Sequence, residues 1–76
     1  MYKFKVGDYF RYVDNDTMVI GKICLIREHV FSFERIISTD PISESDLDFF
    51  YSTSKWYDNS VKLTEEEVEM AKLLYA

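Results

Sequence analysis

The chain reads as a mainly β domain, a small antiparallel β-barrel or strongly bent sheet carrying one C-terminal α-helix. Three observations predict this. Short β-favouring runs recur from Tyr2 to Leu63, separated by clusters of Gly, Asp, Asn and Pro. The clearest helical periodicity comes last, over about 64–75, behind a Thr-Glu-Glu-Glu start. With 76 residues there is room for one core, so residues 1–76 make a single domain.

Each element has a local reason. Tyr2, Phe4 and Val6 alternate with Lys3 and Lys5 as in a short half-buried strand. Gly7-Asp8 breaks that run as a bend or bulge, because glycine supplies backbone freedom where a strand redirects. Tyr9–Val13 continues as a strand, and Asp14-Asn15-Asp16-Thr17 turns, since Asp and Asn tolerate left-handed backbone. Met18–Arg27 is the second long strand, with Gly21 as a kink or point of close approach. Glu28-His29 turns the chain into Val30–Ile37, where Phe31, Phe33 and Ile37 share a face. The three strands make an antiparallel meander.

Asp40-Pro41 ends the meander, because proline lacks the donor a ladder needs. Ser43–Asp48 reads as a solvated acidic loop or a single helical turn. Phe49-Phe50-Tyr51 and Lys55-Trp56-Tyr57 read as further extended runs, Asp58-Asn59-Ser60 as a turn, and Val61–Leu63 as a last strand. Thr64 to Glu67 is a capping box, with three acids at the positive end of the helix dipole. Val68, Ala71, Leu74 and Tyr75 follow at helical spacing, with Met70 and Leu73 on the flanks. A helix of about eleven residues is marginal alone and must dock.

Phe4-Lys5-Val6-Gly7-Asp8-Tyr9-Phe10-Arg11-Tyr12-Val13, followed by Ile20-Gly21-Lys22-Ile23, resembles the opening of SH3-like barrel modules. The resemblance covers about the first third of the chain. It implies a closed barrel and a binding role, without choosing among protein, peptide and nucleic-acid ligands.

Composition narrows the function. The net charge is −5, and nine of the fourteen acids lie from Asp40 onwards, so phosphate backbones are repelled overall. Cys24 is the single cysteine, which excludes an internal disulfide and suits a reducing cytoplasm. No signal pattern follows Met1, and the longest apolar stretches fall far short of a membrane span. Scarce Ala, Gly, Pro and Arg beside abundant Phe, Tyr, Ile and Lys is the usage of an AT-rich genome, as in many bacteria and their phages.

Chemistry finds little purchase. No phosphate-cradling glycine loop, nucleophile elbow or Cys–His motif occurs. His29 reads as a surface turn residue, and Cys24, between Ile23 and Leu25, as a buried inert thiol. Glu44, Asp46 and Asp48 begin like a calcium loop, but Lys55 stands where the closing Glu belongs. Neither a cofactor nor a metal is expected, and the chain does not read as an enzyme.

The aromatic surplus points to binding. Six Phe, six Tyr and one Trp are hard to hide in a domain that buries only about 60% of its unfolded surface. Tyr9 and Arg11 alternate with Phe10 and Tyr12, so burying one face of that strand exposes the other. The expected site is one protein-binding surface of Tyr9, Arg11, Trp56 and Tyr57, with Tyr12 beside them. Trp56 is either its anchor or the central core residue. The expected function is a small non-enzymatic accessory or regulatory module, in one version a phage or mobile-element protein acting on a host factor. Nucleic-acid binding through Lys3, Lys5, Arg11 and Lys22 and self-association as a minor structural subunit are the alternatives.

Overall fold

The computed structural model describes residues 2–39 and 48–75. Among them run β1 (Tyr9–Asp14), β2 (Thr17–Arg27), β3 (Val30–Ser38), β4 (Asp48–Tyr51), α1 (Lys55–Asn59), β5 (Val61–Leu63) and α2 (Glu65–Tyr75). The strands form one antiparallel sheet in the order β4-β3-β2-β1-β5. Its two edges are β4 and β5, and no ladder joins them, so the sheet does not close into a barrel. The expected turn at Asp40-Pro41 and the acidic stretch from Ser43 lie outside the described residues up to Asp48.

Both hairpins of the meander form where the turn residues place them. Asp14 pairs with Thr17 and Arg27 with Val30, leaving Asn15-Asp16 and Glu28-His29 as two-residue loops. The first loop residue is left-handed in each, at φ 53° for Asn15 and 56° for Glu28. Gly7, at φ 96°, makes the predicted bend. Its N–H donates to the Ile23 carbonyl (2.7 Å), and the Ile23 N–H donates to the Asp8 carbonyl (2.8 Å). Gly21 is a point of close approach: a Cβ there would meet Phe33 Cδ2 at 2.8 Å and the Glu34 carbonyl at 3.0 Å. The β2–β3 register shifts beside it, between Ile20 and Gly21, and again between Ile23 and Leu25.

Four local expectations are corrected. Ile37 lies in the cluster on the opposite face from Phe31 and Phe33, because the register shift that pairs Ile20 with Ile37 and Gly21 with Arg35 leaves Ile36 as an extra residue and reverses the alternation. Tyr2–Val6 is not a strand; Phe4 alone inserts fully, while Val6 is exposed and Tyr2, 37% exposed, lies at the rim with its ring 5.0 Å from that of Phe31. Cys24 is exposed, on the side of β2 away from Ile23 and the front cluster, and its thiol donates to the Ser32 carbonyl (3.4 Å). Lys55-Trp56-Tyr57 is helical rather than extended, and Asp58-Asn59 belongs to the same helix. Successive residues of a strand point to opposite faces, whereas on a helix they lie about 100° apart. The helix therefore lets Trp56 and Tyr57 reach the same core. Ser60 ends it, its hydroxyl donating to the Trp56 carbonyl.

The alternation of the strands separates two apolar clusters. Phe4, Phe10, Tyr12, Val19, Ile23, Phe31, Phe33 and Phe50 pack on the front face, joined by Ile26, Trp56 and Tyr57. Ile20, Leu63 and Val68 pack on the back, with Tyr9, Met18, Ile36, Ile37 and Ala71 half-buried around them. The cap of α2 forms as predicted. The Glu67 N–H donates to Thr64 Oγ1 (3.1 Å), and the Thr64 N–H donates to Glu67 Oε1 (3.0 Å). Thr64→Ala is expected to lower unfolding stability by about 1 kcal/mol, read as a lower denaturant midpoint at unchanged slope.

Candidate functional site

The five residues singled out from the sequence divide between the two faces. Tyr12, Trp56 and Tyr57 come together on the front. Tyr9 and Arg11 lie on the back, because β1 alternates and Phe10 and Tyr12 occupy the front.

On the front, Trp56 stacks on Tyr12 with centroids 4.0 Å apart and planes 9° from parallel. It also lies 5.7 Å from Phe33 and 6.0 Å from Phe50. Tyr57 packs on Phe31 (5.4 Å) and Phe4 (5.9 Å), and its hydroxyl accepts from the Lys3 N–H (2.8 Å). The Lys3 ammonium lies 4.9 Å from the Tyr57 ring centroid and donates to the Ser60 carbonyl (2.9 Å). These are core contacts. Trp56 is nonetheless not fully enclosed, so it closes the cluster while keeping an open edge. Tyr12 is 3% exposed, and its hydroxyl donates to Asp14 Oδ2 (3.1 Å). Burial raises its phenol above the ordinary tyrosine value, helped by the hydrogen bond to Asp14 and by that carboxylate's charge.

The back face holds a half-open groove of 280 Å³. Arg11, Met18, Ile20 and Leu63 form its sheet wall, and Glu67, Met70, Ala71, Leu74 and Tyr75 its α2 wall. Tyr9, half-buried in the back-face cluster, lies 5.8 Å from the Lys22 ammonium. The helix docks less fully than its spacing predicts. Val68 is buried and Ala71 half-buried, whereas Leu74 is 77% and Tyr75 55% exposed. Met70 (61%) and Leu73 (80%) are exposed too. The signal for this stood in the sequence: from Met70 to Tyr75 only Lys72 is polar, which is more apolar surface than one docking stripe hides.

Elsewhere, Leu25, Phe49 and Tyr51 are exposed towards the β4 edge, where Leu25 and Phe49 both pair with Ser32. His29 lies exposed in its turn, with Tyr2 Oη (2.9 Å) and Ser52 Oγ (3.4 Å) both at Nδ1. Among the described residues no cluster of His, Cys, Asp and Glu could hold a metal, and Asp48 is ion-paired with Arg35 at 2.8 Å. No described helix is long and apolar enough to cross a membrane. No known protein family matches the chain, nor does any curated protein or solved structure.

Trp56→Ala is expected to lower stability by about 3 kcal/mol, the low end for a large aromatic because one edge is already solvated; chemical denaturation reads it directly. Tyr12 supplies a pH dependence. Its phenol is raised in the folded state, so its stabilisation is fully present below the unfolded pKa near about 10 and is lost as pH rises through the folded value. Denaturant midpoints measured from neutral to strongly alkaline pH should fall more steeply in the wild type than in Tyr12→Phe.

Proposed function

We propose that this chain is a non-enzymatic protein-binding module with an accessory or regulatory role, acting through the back face around α2. One observation carries the reading: Met70, Leu73 and Leu74 present a contiguous exposed apolar surface beside a groove. Water-exposed apolar side chains clustered in this way mark interaction sites more often than they decorate a monomer. Tyr9 and Arg11 belong to this face, while Tyr12, Trp56 and Tyr57 support it from the opposite side of the sheet. The open edge of Trp56 is a second, smaller contact.

The bend at Gly7-Asp8 keeps the likeness to SH3-like modules in this proposal, as the motif that sets the start of β1. A cytoplasmic setting fits the single free cysteine. The AT-rich residue usage favours a phage or mobile-element protein that modulates a host factor. Nucleic-acid binding draws less support: Lys3 is engaged by main-chain carbonyls, and the net charge is −5.

Placing a photo-crosslinking amino acid at position 74 in the native cell tests the site. A defined protein adduct is expected from position 74 and not from the exposed position 27. Absence of any adduct from position 74, across several growth states, would count against the reading.

A further inference from the structure

We propose that the β4 edge of the sheet pairs with the β4 edge of a second copy, antiparallel about a twofold axis at Phe49, so that two five-stranded sheets become one. The contact is separate from the groove beside α2.

The main chain comes first. An antiparallel strand bonds its two neighbours through alternate residues. The Ser52 N–H donates to the His29 carbonyl (2.8 Å), continuing the register in which Phe50 opposes Phe31 and Asp48 opposes Phe33. The main chains of Asp48, Phe50 and Ser52 therefore face β3, and those of Phe49 and Tyr51 face outward. The Tyr51 carbonyl is already taken, accepting from the Ser54 N–H (3.0 Å) and the Ser54 hydroxyl (2.7 Å). No described group bonds the outward N–H and carbonyl of Phe49.

These free groups select the occupant. With the twofold at Phe49, each Phe49 N–H donates to the other copy's Phe49 carbonyl, so one surface satisfies itself. Centring the axis on Phe50 would instead set each Phe49 N–H against a Tyr51 carbonyl whose two lone pairs are in use.

The side chains agree. Phe49 and Tyr51 project from the face opposite Phe50 and are 58% and 51% exposed, with rings 5.7 Å apart. Leu25, 49% exposed, continues the patch across Ser32. Across the axis Phe49 meets its own copy as a cross-strand aromatic pair. Phe49-Phe50-Tyr51 carries no charge or proline of the kind that shields natural sheet edges. Asp48, the one charged residue of β4, is held by Arg35 at 2.8 and 3.3 Å. The glutamates of α2 follow β5 at the opposite edge, so they do not face one another in this contact.

The test is sedimentation velocity and amide hydrogen exchange of the full chain over a concentration series. A four-residue strand edge lies at the small end of specific interfaces, so monomer is expected at about 1 µM and dimer from roughly 0.1 mM upward. The Phe49 amide, unprotected in dilute solution, should become protected in the dimer, whereas the Phe50 amide is protected throughout. Phe49→Lys should abolish the dimer while leaving melting in dilute solution unchanged, because the side chain is mostly in water. N-methylation of the Phe49 amide by total synthesis keeps every side chain and removes both bonds across the axis. It should weaken the dimer about tenfold or more. Leu74→Ser should leave the dimer intact. Monomer alone at about 1 mM would overturn the inference, as would a dimer that survives both Phe49 variants. A dimer lost in Leu74→Ser would overturn it by placing the contact on α2. Species growing past dimer would overturn it too, because β4 then meets another surface and the assembly does not close.

Discussion

A sheet whose strands carry apolar side chains on both faces needs two covers, and a chain of 76 residues supplies them unequally. β1 shows the demand in one strand, with Phe10 and Tyr12 turned to the front and Tyr9 to the back. The front is the better covered, with only the rim at Trp56 and Tyr57 partly open. Phe10, Phe31 and Phe33 are at most 1% exposed, each contributing roughly 1.5–3 kcal/mol of burial. The irregular segment through Phe4 and the short helix α1 complete that cover, packing Phe4, Trp56 and Tyr57 against the rings of the strands. The back has only α2, which buries Val68 and leaves its last two turns largely in water.

The front cover holds because several weak local devices agree. Gly7 takes a left-handed backbone and bonds across to Ile23, which aims the N-terminal segment over the sheet. Tyr2 then donates to the Glu28 carbonyl, while the Lys3 N–H donates to the Tyr57 hydroxyl, so the segment is tied to the second hairpin and to α1. Gly21 lets the Phe10 and Phe33 rings approach the backbone of β2 more closely than a side chain would permit. No described buried side-chain nitrogen or oxygen lacks a hydrogen-bond partner. The aromatic cluster is thus kept dry without leaving polar groups stranded.

On the proposed reading, the incomplete back cover links stability to binding. Leaving Leu73 and Leu74 in water forgoes burial that a domain this small can ill spare. On the proposed reading, a partner that covers them recovers that burial and completes the second face of the sheet. The capping box matters here as well, because it anchors the first turn of α2 while the far end stays open. The groove and the exposed row are then presented by a helix whose direction is set by Thr64, Glu67 and Val68.

Much of the fold was legible in local sequence. The meander, both two-residue loops, the bend at Gly7, the close approach at Gly21, β5 and the capped helix follow from alternation, turn chemistry and capping, which act over a few residues. The site was legible only in its residue types. Sequence alternation showed that Tyr9 and Arg11 would oppose Phe10 and Tyr12, but treating Trp56 and Tyr57 as strand residues left their side of the sheet open. Tertiary packing decided that Lys55–Asn59 coils into a helix, because only then do both rings reach one cluster. It also decided that the side of β2 opposite Ile23 stays open at Cys24, and that β4 and β5 stay apart as edges. Closure and coverage depend on how much apolar surface distant segments bring to each face. Local periodicity states which residues want cover, whereas the three-dimensional fit of the covers determines which receive it.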